Sequence, residues 1–96
     1  MKVGLSDKVE ISSEVLCQEV GGEMVLLDLN SEAYFGLDPV GARIWSLLQT
    51  TGDLSKVYEK ILSEYKVEPV ELESDLLIHI GQLMHAGLLI LESPNQ

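Results

Sequence analysis

The sequence predicts an α+β domain in which a three-stranded antiparallel sheet is followed by three helices. Two β-leaning runs, 15–20 and 23–29, flank a Gly-Gly pair, as in a hairpin. A third run, 31–37, alternates with the period of 2 that is typical of half-buried strands. It ends at an Asp-Pro step, after which apolar residues recur with the helical period of 3.6. We expect one domain over residues 1–96, with a core at about 14–91 and loose termini.

The three strands are joined by short turns. Gly21-Gly22 tolerates the positive φ of a tight hairpin, and Asn30-Ser31 provides the second turn. Alternation in the third run then divides its residues between two faces, with Ala33, Phe35 and Leu37 on one and Glu32, Tyr34 and Gly36 on the other. Because a three-stranded sheet needs a cover over its apolar face, the helices must pack there.

Each helix has its own start or stop signal. Asp38 caps the first helix and Pro39 occupies its first position, where a missing N–H costs nothing. Asp53 caps the second helix, in which apolar residues recur every three or four positions. The third helix begins at Pro69, runs to about residue 86 and ends at Gly87, beyond which Leu88 to Leu91 form a short extended tail.

The third helix has an unusually wide apolar arc. At about 100° per residue its apolar positions cover about 160° of the circumference; they are Leu72, Leu83, Leu76, Ile80, Met84, Leu77 and Val70. One edge of the arc is expected to face the core and the other to line a groove. The pattern does not tell which edge does which.

Composition excludes several classes of protein. The net charge is −10, from sixteen acidic and six basic residues, which repels a phosphate backbone and disfavours nucleic acid as a partner. A winged-helix DNA-binding regulator is the competing hypothesis, but residues 67–96 contain neither Lys nor Arg. No run approaches the roughly 18 apolar residues of a membrane span, and the first residues lack a signal-peptide pattern. We therefore expect a cytoplasmic protein with no membrane partner.

Catalytic and metal-binding constellations are missing from the sequence pattern. His79 and His85 point about 120° apart on a helix, so they cannot share a metal or a proton. Asp75 and His79 are spaced i, i+4, which more often makes a surface hydrogen bond than a site. Cys17 is the single cysteine, and the acids nearby in sequence would raise the pKa of its thiol. We expect no enzyme activity, no metal and no cofactor, and we expect Trp45 in the core.

The third strand is expected to have an open backbone edge. As the last strand of the meander it leaves one row of backbone N–H and C=O groups without a ladder partner. An extended peptide can add there and seat apolar side chains against the third helix. The alternative is an edge covered by another segment, in which case the chain is a structural subunit without peptide affinity.

Three blocks carry a resemblance to a known family: YFGLDPVGARIWSLL, then LSKVYEKILSEY, then LMHAGLL. Over about residues 14–91 the chain resembles the PqqD-like family, the leader-recognition domains of ribosomal peptide (RiPP) modification. The resemblance implies a non-catalytic domain of winged helix-turn-helix type. It also implies that the domain binds the leader of a precursor peptide as an added strand along the third strand and presents the precursor to a maturation enzyme.

Carried over by position, the resemblance assigns the peptide-binding residues. The backbone groups that pair with the leader come from residues of the third strand, which are Glu32, Ala33, Tyr34, Phe35 and Gly36. The third helix supplies a wall of Leu72, Leu76, Leu77, Ile80 and Met84, with Asp75 among the acids at its rim. Those acids would attract basic leader side chains during association.

Within the family, the sequence of residues 37–45 most resembles that of the small stand-alone leader-binding proteins of lasso-peptide biosynthesis. In that case the partner is a leader protease, followed by a cyclase. The alternative is a chaperone of pyrroloquinoline quinone (PQQ) biosynthesis that works with a radical-SAM enzyme. The sequence leaves open which precursor is bound and whether the chain forms a homodimer.

Overall fold

The computed structural model describes residues 3–92 of the chain. It contains five strands and three helices in the order β-β-β-β-α-α-α-β. Their bounds are β1 Val9–Ile11, β2 Val15–Val20, β3 Glu23–Asp28, β4 Ala33–Leu37, α1 Pro39–Leu48, α2 Leu54–Glu64, α3 Pro69–His85 and β5 Leu89–Leu91.

Strands β2, β3 and β4 form the predicted antiparallel sheet, with β3 in the centre. The register pairs Cys17 with Leu26 and Leu26 with Phe35 across the three strands. Leu26 is fully buried on the face that packs against the helices. The predicted α+β fold, with a three-stranded sheet followed by three helices, is therefore confirmed.

The two turns of the sheet differ from each other. Gly21 and Gly22 both have positive φ, as a tight two-residue hairpin requires. The second turn is organised by Asp28, a buried carboxylate that accepts hydrogen bonds from the Asn30 N–H and the Ser31 hydroxyl. Glu32 closes this turn with a φ of 61°. It therefore precedes β4, and the prediction that Glu32 belongs to the strand is wrong.

The caps predicted for the helices are in place. The Asp38 carboxylate accepts from the Gly41 N–H at 2.7 Å, and the Asp53 carboxylate accepts from the Ser55 N–H at 3.0 Å. Helix α3 ends where Gly87 adopts a φ of 84°. The next N–H groups then reach back to the last carbonyls of the helix, which terminates it sharply.

A second, smaller sheet corrects the prediction of a loose N-terminal segment. β1 pairs antiparallel with β5, so that Val9 lies opposite Leu91. Val9 is buried in the core, and its N–H bonds the Gly52 carbonyl at 2.9 Å. The pairing was missed because three residues are too few for a periodic signal and their partner is distant in sequence. The extended tail predicted after α3 is confirmed as β5, while the loose end predicted at residues 93–96 lies outside the described residues.

One hydrophobic core joins both sheets and all three helices. Its largest fully buried side chain is Trp45 of α1, which confirms the core position expected for this residue. A bidentate ion pair between Arg43 and Glu64 fastens α1 to the end of α2 on the surface. Within residues 3–92, no helix is both long and apolar enough to cross a bilayer.

Candidate functional site

Strand β4 is an edge strand of its sheet in the part of the chain that the structure describes. The orientation of its backbone groups follows from the hydrogen bond of the Leu29 N–H to the Glu14 carbonyl, at 2.8 Å. In an antiparallel ladder, hydrogen-bonded and non-hydrogen-bonded residue pairs alternate along the strands. The backbone groups of Leu27 therefore bond to β2, and those of Leu26 bond to β4. On β4, Phe35 consequently bonds back to β3. The N–H and C=O groups of Tyr34 and Gly36 are left facing away from the sheet.

A cleft of about 570 Å³ lies at the end of β4, between the start of α1 and the side of α3. Its lining combines backbone from the strand end with apolar and acidic side chains. The lining residues are Gly36, Leu37, Asp38, Val40, Gly41, Ile44, Val67, Glu71, Leu72, Asp75, Leu76, His79 and Gln82. The open strand edge and the cleft share Gly36, so one extended ligand can contact both.

The capped start of α1 shapes one wall of this cleft. Gly41 is buried there, and a Cβ at this position would lie only 3.1 Å from the Asp38 carboxylate oxygen. The absence of a side chain thus lets the helix begin tightly against the strand end. Val40 and Ile44, on the same side of α1, then present their side chains to the cleft.

Helix α3 forms the opposite wall with one edge of its wide arc. At about 100° per residue, His79 and Asp75 lie about 20° and about 60° to one side of Leu72. Met84 and Leu77 lie about 120° and about 140° to its other side. The structure thus shows which edge faces the cleft: it is the polar edge, with Asp75, His79 and Gln82.

The predicted site residues separate into three groups. Gly36, Leu72, Asp75 and Leu76 lie at the cleft, and Ala33, Tyr34 and Phe35 lie in the edge strand beside it. Ile80 is fully buried in the core, while Leu77 and Met84 pack against the core away from the cleft. Glu32 is in the turn before the strand. The structure therefore does not bring Leu77, Ile80, Met84 or Glu32 to the cleft.

Several lining residues were missed by the sequence reasoning. Val40 follows the proline that begins the first helix and carries no signal of a binding residue. Val67 stands in the linker before α3, which has no periodicity. His79 and Gln82 are polar and are not among the apolar positions that define the predicted arc. A signal for them did exist, because His79 and Gln82 follow Asp75 at helical spacing and so mark one continuous edge.

His79 is the most unusual of these side chains. Its Nε2 atom is buried without a hydrogen-bond partner among residues 3–92. Burial lowers the pKa of His79, and the negative charge of Asp38 across the cleft opposes that effect only in part. The imidazole is thereby held toward its neutral form, which suits contact with apolar ligand groups.

The charges around the cleft have one sign. Asp38, Glu71 and Asp75 contribute three carboxylates to the lining, whereas none of the lining residues is Lys or Arg. The apolar walls of Val40, Ile44 and the leucines lie between these acids. The cleft can therefore take an apolar side chain and attract a neighbouring basic one.

Groups with catalytic potential lie elsewhere or apart from one another. Cys17 is half-buried on the helix-facing side of β2, and the pKa of its thiol is raised by burial, which is the direction expected from sequence but from a different cause. His85 is exposed and not in the cleft. Among residues 3–92, no three His, Cys, Asp or Glu side chains come together as a metal site.

Comparison with known proteins gives a family match and two close structures. Residues 23–89 match the family described as coenzyme PQQ synthesis protein D (PqqD). The structure of TbiB1 in complex with the TbiA(beta) leader peptide is 37% identical, with a TM-score of 0.78, and covers 91% of this chain and 99% of that one. A lasso peptide synthetase B1 complexed with the leader peptide is 26% identical, with a TM-score of 0.72, and covers 86% of this chain and 98% of that one. No curated protein matches the sequence.

Proposed function

This chain belongs to the PqqD family, and we propose that it is a non-catalytic adaptor that captures the leader of a ribosomally made precursor peptide. The leader adds as a strand to the open edge of β4 and seats its side chains in the adjoining cleft. The adaptor then presents the precursor to a maturation enzyme. The observation that carries the proposal is the position of the free edge, which runs directly into an apolar cleft.

The edge supplies affinity that is independent of the ligand's sequence. Tyr34 and Gly36 offer two N–H donors and two C=O acceptors to an incoming strand. Such bonds offset part of the entropy that a disordered leader loses when it becomes ordered. They do not select one peptide from another, so specificity must come from the cleft.

The cleft selects the ligand by its chemistry. Leu72 and Leu76 form an apolar floor with little exposed surface, beside the more exposed Val40. An apolar or aromatic leader side chain is favoured there, and Asp75 at the rim favours a basic residue next to it. We expect the leader that this protein binds to carry an apolar or aromatic residue next to a basic one, close to the segment that pairs with β4.

The partner enzyme belongs to one of two classes. Both structural neighbours are complexes with leader peptides, and one is a lasso peptide synthetase B1. Their similarity over most of the chain favours a leader protease of lasso-peptide biosynthesis as the recipient. The match to the PQQ family model supports the second candidate, a chaperone that works with a radical-SAM enzyme. Both candidates share the same leader-capture step, which acts in the cytoplasm.

The test is a fluorescence anisotropy titration with labelled leader peptides from the precursors encoded beside this protein. Saturable binding to one leader, but not to its scrambled sequence, is expected. The wild type is compared with Val40→Asp, which places a carboxylate in the apolar part of the cleft. Affinity should fall at least about tenfold, because the charge is desolvated when the anchor binds.

Val70→Asp is the matched control. Val40 and Val70 each follow the proline that begins a helix, so an aspartate at either position lies in a first helical turn, where it favours the helix dipole. Val70 is exposed and outside the cleft, and its substitution should leave leader affinity unchanged. If no encoded leader binds, or if the two variants bind alike, the proposed function is wrong.

A further inference from the structure

The outer face of the β2–β3–β4 sheet, opposite the helices, carries an apolar patch outside the cleft. Leu16, Leu27 and Tyr34 stand in one row across the three strands. Val25 lies beside this row on β3, and Val20 and Leu29 lie at its ends. We call these six side chains the outer patch.

Much of the outer patch is exposed to solvent. The exposed fractions are 44% for Leu16, 46% for Leu29, 58% for Val20 and 71% for Tyr34. Small soluble domains seldom leave adjacent large apolar side chains uncovered on one sheet face unless a partner covers them. The ladder with β3 orients them outward, so they cannot turn inward without breaking the register.

The surroundings of the outer patch are acidic. Residues 9–42, which include the whole sheet, contain seven acidic residues and neither Lys nor Arg. Glu14 and Glu32 stand at one end of the patch, and Glu23 stands at the other. A partner that covers the patch must therefore be apolar at its centre and basic around it.

This charge pattern decides between occupants. A second copy of this chain would bring Glu14, Glu23 and Glu32 against the same acids, which is repulsive. A membrane surface with anionic lipids is repelled for the same reason. A different protein with a basic rim meets no such cost.

We propose that the outer patch is the docking surface for the maturation enzyme, which meets it with an apolar surface rimmed by Lys and Arg. This inference rests on the proposed function, because the enzyme gains by docking where the leader is held. Tyr34 belongs both to the open edge of β4, through its backbone, and to the outer patch, through its side chain. A docked enzyme therefore lies beside the bound leader.

The dimensions fit the centre of an interface. Three strands span about 10 Å and six residues along a strand about 20 Å. An area of this size is smaller than the roughly 800 Å² that each partner buries in a standard interface. The acidic rim must then contribute the remaining contact, which predicts association that weakens as salt rises.

The experiment measures binding of the purified protease encoded beside the precursor to the full-length, leader-loaded protein by isothermal titration calorimetry. Leu16→Lys removes an apolar contact and places a positive charge against the basic rim of the enzyme. Leu16 is in β2, two strands away from the open edge of β4. Affinity for the protease should fall at least about tenfold. Ile90→Lys is the control, since Ile90 is a strand residue of similar exposure, 54%, in the other sheet, and it should bind like the wild type.

A leader titration on the same samples separates the two proposals. Leader affinity of Leu16→Lys should remain within about twofold of wild type. Unchanged protease binding by this variant, with leader affinity intact, overturns the docking inference alone. A wild-type dimer that Leu16→Lys dissociates in sedimentation equilibrium overturns it too, since the occupant is then a second copy. Absence of leader binding by the wild type overturns the proposed function instead.

Discussion

Replacement of Gly36 by proline tests the strand-addition geometry at a single atom. The Gly36 N–H faces away from β3, so proline removes a donor from the open edge without removing a bond from the β3–β4 ladder. Gly36→Ala is the matched control because it keeps the N–H, and a Cβ at this position meets nothing within 4 Å. The two variants thus differ mainly in one hydrogen-bond donor.

The expected magnitude follows from the fate of the leader carbonyl. In the proline variant that carbonyl is desolvated against the edge and has no donor, which costs about 1–3 kcal/mol. This corresponds to a loss of about 5-fold to about 150-fold in affinity. The free energy of unfolding should change little, because the ladder to β3 remains complete.

The assay is a leader titration by fluorescence anisotropy, with urea unfolding of the same two samples. We expect Gly36→Ala to bind like the wild type and Gly36→Pro to bind within the weaker range above. Equal affinity of the two variants, with both folded, would mean that the leader does not pair with β4 at this position. The assignment of Tyr34 and Gly36 as the outward-facing residues would then be wrong.

Four further substitutions test other parts of the structure. His79→Gln should flatten the pH dependence of stability measured by urea unfolding. Because burial lowers the pKa of His79, the wild type has its full stability above about pH 6.5. It loses stability as the pH falls, since the unfolded chain takes up a proton before the folded one. Gly52→Ala should cost about 2 kcal/mol and speed amide exchange in β1 and β5, since the new Cβ overlaps the Val9 carbonyl, while leader affinity stays unchanged. Asp38→Ala and Asp53→Ala should each cost about 1 kcal/mol in unfolding experiments by removing a helix cap, but only Asp38→Ala should also weaken leader binding.

The elements that sequence reasoning predicted correctly are those with local signals. The helix starts at Pro39 and Leu54 follow from side-chain caps one residue earlier, and the β2–β3 hairpin follows from Gly21-Gly22. Each signal lies within a few residues of the boundary that it sets. Such boundaries need no knowledge of the rest of the fold.

Features that depend on distant contacts were missed. β1 is short and gains its stability from β5 and from Gly52, neither of which is near it in sequence. Glu32 fits the alternation of the next strand, yet the buried Asp28 pulls it into a turn, with the Glu32 N–H bonded to the Asp28 carbonyl at 2.7 Å. Alternation alone cannot reveal such a competing bond.

The site was predicted in part for the same reason. The strand that forms the open edge was identified, because its position as the last strand of the meander follows from element order. Of the residues predicted for the helix wall, Leu72 and Leu76 line the cleft, whereas Leu77 and Met84 pack against the core away from it. The wide apolar arc of α3 fits either orientation, and the packing of α3 against α2 and β5 decides between them.

The pairing of β1 with β5 also determines how this domain can be joined to others. The Glu92 N–H bonds the Lys8 carbonyl at 2.8 Å, so residue 8, near one end of the described chain, lies beside residue 92 at the other. The neighbouring polar pocket is lined by residues from both ends and is distinct from the leader cleft. A domain with adjacent ends can be inserted into a loop of another protein, or circularly permuted through a short linker, without moving its core. We therefore expect fusion at either end to leave leader capture intact, so that the same unit can serve as a free-standing protein or as a module of a larger enzyme.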